Sequence, residues 1–310
     1  MIRNFLYVMT IGLLLISSSH SKTKFSEIKK VLKEDKYGKA VPKKFHHLNA
    51  KHAINSISVS GFSKVGEKSI RFELNDGECG YEPKWSDCET DRERTELYYT
   101  KYPSKTERWY QFYIYMPEDY NSVAPSKMSL IQWKRHNPSR TLVMFQHTHA
   151  GLTFNRNGDS FKDTHIVLKS NKEFIGNWTQ IIFSTNWHPD REKGFMKVWI
   201  DKSLKVDFKG ISQYPNDGKK QSLRYGLYNT KMKDYKKVFN KEKMPQRIVF
   251  FDDVKSEKTC KKLINQKTCN DLKSQKVIGK YKKFNLSRYD KKINEWNILE
   301  ISPEAFESAF

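Results

Sequence analysis

The most regular feature of the chain is alternation. Ser69-Ile70-Arg71-Phe72-Glu73-Leu74 carries apolar side chains at every second position, and the stretch from Arg108 to Met116 repeats the pattern until Pro117 ends it. A period of two marks a strand with one face toward a core. Shorter runs rich in β-branched and aromatic residues follow at Ser129–Trp133, Thr141–Phe145, His165–Leu168, Thr179–Ser184, Met196–Ile200, Leu204–Phe208, Ser222–Tyr228 and Arg247–Val254. Turn-forming clusters such as Asn157-Gly158-Asp159 and Asn216-Asp217-Gly218 separate them. Many short strands without long helical patterns between them predict an all-β fold, a sandwich or jelly roll, over residues 54–256.

The two ends break this pattern. Arg3, the apolar run Phe5–Ile16 and the small residues of Ser19-His20-Ser21 read as a cleaved signal peptide, residues 1–21. The run is too short for a comfortable membrane span, so no stable membrane anchor is expected. Residues 22–53 form a lysine-rich segment whose helical pattern (Ile28, Val31, Leu32) fades near Pro42. Residues 257–310 read as a C-terminal extension, helical over Glu257–Lys273 and irregular beyond. Export to a secreted or periplasmic location follows from the leader.

Composition narrows the class. The chain has 310 residues, a formal charge of +22 and 14% aromatics. That aromatic content supplies a core and argues against disorder. The low glycine count and the lack of a sustained heptad exclude collagen-like and coiled-coil chains. Residues 22–45 hold nine lysines against three acids, and residues 255–310 hold thirteen basic residues against seven acids. The rest of the excess lies in the body. In an exported protein such charge points to an anionic polysaccharide rather than to nucleic acid.

Export also sets the redox context. Cys79 and Cys88 are separated by eight residues, as are Cys260 and Cys269. An even count in an oxidising compartment reads as disulfides, with three pairings formally open. Zinc would call for CxxC-like spacing, which is absent. No D-x-D-x-D loop argues for calcium, and a structural calcium is left open.

Three segments concentrate polar chemistry on strands. In Asp91–Leu97, alternation puts Arg92, Arg94 and Glu96 on one face; in Leu130–Lys134, Gln132 and Lys134 share a face opposite Ile131 and Trp133; in Leu223–Tyr228, Arg224 and Tyr228 share a face. Together they fit eliminative cleavage of a uronic-acid polymer. That reaction needs groups to neutralise the sugar carboxylate, a base for the C5 proton and an acid for the leaving O4.

The ordered set resembles the jelly-roll polysaccharide lyases, which include alginate lyases, glucuronan lyases and heparin lyase I-type enzymes. Arg94-Thr95-Glu96-Leu97 resembles their R-[ST]-E-L strand, Gln132-Trp133-Lys134 sits where they carry Q-x-H, and Leu223–Tyr228 resembles their F-K-x-G-x-Y strand. Asp190–Asp201 and Phe250–Val254 resemble the turn and closing strand of concanavalin A-like sandwiches. The similarity spans about residues 55–256. It implies that Arg94 and Gln132 neutralise the carboxylate and that Tyr228 is the acid, and a candidate base. Arg224 replaces a lysine of the pattern, which keeps the charge and changes its geometry.

The main departure is Lys134 in place of the histidine. It would act as a base only with a strongly depressed pKa. His147 stands in as a further catalytic candidate. Arg92, Glu96, Arg224, His149 and Trp133 complete the expected substrate-binding set. The implied enzyme needs no cofactor, acts as a monomer and takes an acidic polysaccharide. A retaining glycoside hydrolase would need closely placed carboxylates, and no E-x-D-x-x-E strand is present. A non-catalytic carbohydrate-binding domain is the competing reading.

Overall fold

The computed structural model describes residue 53 and residues 56–285 except 83–84, 137–138, 157–163 and 215–219, with the short stretches 46–48, 289–290, 295–296 and 299–301. The leader and the helical pattern at residues 28–32 lie outside the described residues, as do both Asn-containing turn clusters.

Strands are numbered along the chain. A nine-stranded antiparallel sheet has the order β1 (His46–Leu48), β6 (Arg92–Pro103), β15 (Lys220–Thr230), β8 (Lys127–His136), β9 (Ser139–Thr148), β10 (Gly151–Arg156), β11 (Thr164–Lys169), β17 (Tyr281–Asn285) and β20 (Leu299–Ile301). A seven-stranded sheet has the order β14 (Ser203–Lys209), β13 (Phe195–Ile200), β12 (Thr179–Asn186), β7 (Glu107–Tyr115), β16 (Arg247–Glu257), β3 (Ser69–Leu74) and β2 (Ile57–Ser60). Two small hairpins, β4 (Tyr81–Glu82) with β5 (Trp85–Ser86) and β18 (Tyr289–Asp290) with β19 (Glu295–Trp296), complete the strands. Among the described residues the short α-helices are α1 (Asn171–Phe174), α2 (Met232–Val238), α3 (Cys260–Leu263) and α4 (Gln266–Ser274).

The alternation explains the sandwich. Tyr110, Phe112 and Ile114 of β7 are buried between the sheets together with Ile131, Trp133, Tyr225 and Leu227 of the facing sheet. Trp133 sits at the centre, with Tyr110, Phe183 and Phe145 rings 4.7–6.0 Å away. Burying a side chain of this size contributes about 3 kcal/mol or more. One buried ion pair crosses the gap between the sheets: Arg247 Nη1 of β16 meets Glu93 Oε2 of β6 at 2.8 Å and also donates to Asn229 Oδ1 at 2.9 Å.

The outer faces of the two sheets differ in chemistry. Trp109, Ile182, Trp199 and Leu204 point outward from the seven-stranded sheet, where Leu263 of α3 and Leu272 of α4 cover them. Trp109 and Trp199 stack at 5.3 Å, and Trp199 Nε1 donates to the Leu272 carbonyl at 3.2 Å. The extension therefore belongs to the sandwich. Its strands β17 and β20 also lengthen the nine-stranded sheet, where the sequence reads as irregular. Likewise β1 lies in the segment read as a lysine-rich lead-in.

The disulfides are Cys79–Cys88 and Cys260–Cys269, each closing a short loop. The second joins α3 to α4 beneath Trp109. Replacing Cys260 and Cys269 together by Ser should lower unfolding free energy by about 2–3 kcal/mol in a denaturant titration, the entropy of a ten-residue loop. An unchanged midpoint would show that the helices are not coupled to the sheet.

Candidate active site

The outer face of the nine-stranded sheet carries polar groups where the other sheet carries tryptophans. Strands β6, β15 and β8 are neighbours, and their register sets the rows. Arg94 lies opposite Tyr228, which lies opposite Ser129. Glu96 is opposite Gly226. Tyr98, Arg224 and Gln132 share a row, and Ser222 and Lys134 share the next. Since Thr95, Leu97, Ile131, Trp133, Tyr225 and Leu227 are buried on the inner side, Arg94, Glu96, Gln132, Lys134, Arg224 and Tyr228 all project outward.

Gly226 makes this register possible. The pairing of β15 with β8 slips between Tyr225 and Tyr228, a bulge. Gly226 has φ +132°, and a Cβ there would stand 2.4 Å from the Thr95 carbonyl oxygen. Only glycine fits there, and Arg224, Gly226 and Tyr228 alternate with the inward Leu223, Tyr225 and Leu227.

Arg94 anchors the cluster. Its Nε and Nη2 donate to the two oxygens of Asp87, the second at 2.7 Å, and Nη1 meets Glu96 Oε2 at 3.3 Å. Glu96 Oε1 in turn accepts from Gln132 Nε2 at 2.6 Å. The guanidinium lies 4.1 Å from the Tyr228 ring centroid and 4.9 Å from that of Trp85. Arg94 is only 3% exposed and Asp87 fully buried. Burial works against the Arg94 charge, but Glu96 and Asp87 outweigh it and hold the guanidinium above its ordinary pKa. Asp87 was not singled out by sequence. Its only signal is its place inside the Cys79–Cys88 loop, which packs so tightly that a Cβ on Gly80 would lie 2.5 Å from Asp87 Oδ2.

The other groups are less committed. Gln132 is fully buried, and its Oε1 has no hydrogen-bond partner. Arg224 is half-buried, stands 5.4 Å over the Tyr98 ring and leaves its buried Nε unpartnered. Burial, with Arg224, Arg94 and Arg92 nearby, pushes the Lys134 ammonium down to about 8, while Glu96 pulls the other way. Burial raises the Tyr228 phenol above its ordinary value, although Arg94 and Arg92 oppose this. For Tyr228, desolvation outweighs the nearby cations.

Two expected site residues point elsewhere. Trp133 faces the core, because its neighbours Gln132 and Lys134 take the outer face of β8. It cannot stack on a substrate. His147 follows the core residue Phe145 by two positions on β9 and is buried between the Tyr120 and Phe174 rings, with Nε2 2.9 Å from Asn171 Oδ1. Burial pushes it down to about 4, against the Asn171 hydrogen bond. It is a neutral core histidine rather than a stand-in base. His149 neighbours it, pushed down to about 4 by burial and by His147, and its carbonyl accepts from the Asn171 side chain. Arg92 is half-buried at the outer edge of the cluster. Among the described residues no group of three or more His, Cys, Asp or Glu is arranged to hold a metal ion.

The sequence model of a family described as polysaccharide lyase matches residues 41–255. Among solved structures, the endo-β-1,4-glucuronan lyase of the fungus Trichoderma reesei is similar in fold, with a TM-score of 0.50 at 17% identity, covering 69% of this chain and 95% of that one. An alginate lyase, AlgAT5, from polysaccharide lyase family 7 aligns with a TM-score of 0.44 at 10% identity, over 67% of this chain and 87% of its own. No curated protein sequence matches the chain.

Losing one partner of the buried Asp87–Arg94 pair strands a charge. Asp87→Asn should cost about 3–5 kcal/mol of stability, measured by chemical denaturation. Glu192→Gln, which breaks the exposed pair with Lys209, should cost under about 1 kcal/mol. Equal effects would show that Arg94 does not depend on Asp87.

Proposed function

The chain belongs to the polysaccharide lyase family, and we propose that it is a secreted enzyme that cleaves a uronic-acid-containing polysaccharide by β-elimination on the outer face of β6, β15 and β8. The observation that carries this reading is the row order. Arg224, with an unpartnered Nε donor, lies beside Gln132, Tyr228 stands to one side of them and Lys134 to the other.

In this reading the uronate carboxylate accepts from the Arg224 guanidinium and from the Gln132 Nε2 hydrogen that Glu96 does not take. Hydrogen bonds to it strengthen as the C5 carbanion character develops, which lowers the barrier to proton removal. Arg94 supplies positive charge from beneath, with its donors held by Asp87 and Glu96. The Lys134 amine takes the C5 proton. The released electron pair forms the C4–C5 double bond as the C4–O4 bond breaks, and Tyr228 delivers its proton to the leaving O4. Each group has the protonation state its role needs: a phenol held protonated by burial, and an amine that burial and neighbouring cations leave partly neutral near pH 8. The disulfides suit an oxidising compartment, in keeping with export.

The sign of the pH dependence follows. Only the free amine of Lys134 accepts a proton, so kcat/KM on a uronate polymer should rise as pH passes about 8. It should fall only where Tyr228 ionises, above its ordinary value of about 10. Lys134→Met should lower turnover by about 10²–10⁴-fold and remove the rise. A rise that persists in the variant would reassign the base.

Tyr228→Phe should lose turnover by a similar factor while polymer binding is kept, followed by the ultraviolet absorbance of the unsaturated product. Unchanged turnover would contradict the acid role. Binding without turnover by the wild-type protein, across a panel of uronate polymers, would favour a carbohydrate-binding domain.

A further inference from the structure

A second concentration of positive charge lies away from the catalytic rows. A cavity of about 690 Å³ opens between the end of β11, the start of α1, the β13–β14 hairpin and residues 275–282. This is within the size range of small-ligand sites, roughly 300–1,000 Å³. Six lysines line it: Lys169, Lys202, Lys205, Lys276, Lys280 and Lys282. Its two acids are already engaged. Asp201 pairs with Lys169 at 2.7 Å and accepts from the Gln180 backbone at 2.9 Å, and Glu173 caps α1 through Ser170. The five lysines other than Lys169 are exposed and make no ion pair among the described residues.

The cleft has a fixed wall. Gln275 Oε1 accepts from the Leu204 backbone at 2.8 Å, and its Nε2 donates to the Lys202 carbonyl at 2.9 Å. Six residues on, the Tyr281 hydroxyl accepts from the Asp207 backbone at 3.1 Å. The segment between these two points is thus pinned to β14 at both ends, with Lys276 and Lys280 on it. This wall lies beyond residues 41–255, the part that matches the family. On the sheet, β11 is three strands from β8, about 14 Å at the usual strand spacing.

We propose that this cleft is an accessory, non-catalytic site for the acidic polysaccharide, built by docking the C-terminal extension onto the sandwich. The identity of the polyanion rests on the lyase reading above. Lysines clustered without acidic partners attract repeated carboxylates, and a polymer held there raises its effective concentration at the catalytic face. The attraction weakens with salt, because the lysines are exposed.

The test uses the full chain. Binding to sodium alginate and to polyglucuronate is measured by affinity electrophoresis in the Tyr228→Phe background, with Lys205→Gln, Lys276→Gln and Lys280→Gln combined. The control combines Lys261→Gln, Lys262→Gln and Lys267→Gln on α3 and α4, which changes net charge equally. With about a twofold loss per exposed lysine, the cleft variant should bind about eightfold more weakly and the control should change little. In the Tyr228 background-free protein, the cleft variant should raise KM for the polymer and leave cleavage of short oligosaccharides unchanged. Equal weakening by both triples, no weakening by either, or no binding of either polymer would overturn the proposal. A wild-type protein that binds through the cleft without forming unsaturated product would instead sink the lyase reading and leave the cleft standing.

Discussion

Arg94 is a guanidinium placed almost out of reach of water on the face of a sheet, and that constraint organises its surroundings. A buried cation without an anion costs several kcal/mol, so the structure has to bring one to it. Asp87 is that anion, and it comes from the loop closed by Cys79–Cys88. Glu96 takes a third donor of Arg94 and passes the connection on to Gln132. Tyr228 packs its ring under the same guanidinium. Three strands and one disulfide loop are thus locked around one charge, which orients Gln132 and Tyr228. Preorganisation of this kind is what a site needs to favour developing charge without rearranging.

The two outer faces show how one fold separates stability from chemistry. On the seven-stranded sheet, outward tryptophans are closed over by the disulfide-linked helices, adding a second apolar layer. On the nine-stranded sheet, the outward positions are ionic and carry unpartnered polar atoms. The same alternation fills the core with Trp133 and Tyr225 from the very strands that present Lys134 and Arg224. The polar face is therefore built on the same strands that fill the core behind it.

Much of the fold is legible in the sequence because period-two patterning and turn residues are local. The ten strands predicted from Ser69 to Val254 all form, with ends that shift by a few residues. β2 and β10 escape because they are short and lack clean alternation. β17 and β20 escape because they are fixed by pairing at a sheet edge rather than by pattern. The site is legible only in part. Alternation correctly groups Arg94, Glu96, Gln132, Lys134, Arg224 and Tyr228, yet the same rule places Trp133 in the core, where substrate cannot reach. His147 looks available until Tyr120 and Phe174 are seen to enclose it. Asp87 is invisible because its partnership with Arg94 depends on how a disulfide loop folds back. The depression of Lys134 likewise depends on burial and on cations from two other strands.

The central claim is that bond cleavage on this face is an elimination. Its most direct measurement is the structure of the products formed from purified uronate polysaccharides in water enriched in heavy oxygen. Elimination predicts fragments with a C4–C5 double bond at the new non-reducing end and no oxygen taken from solvent at the cleaved bond. Saturated fragments carrying solvent oxygen would identify hydrolysis and contradict the account.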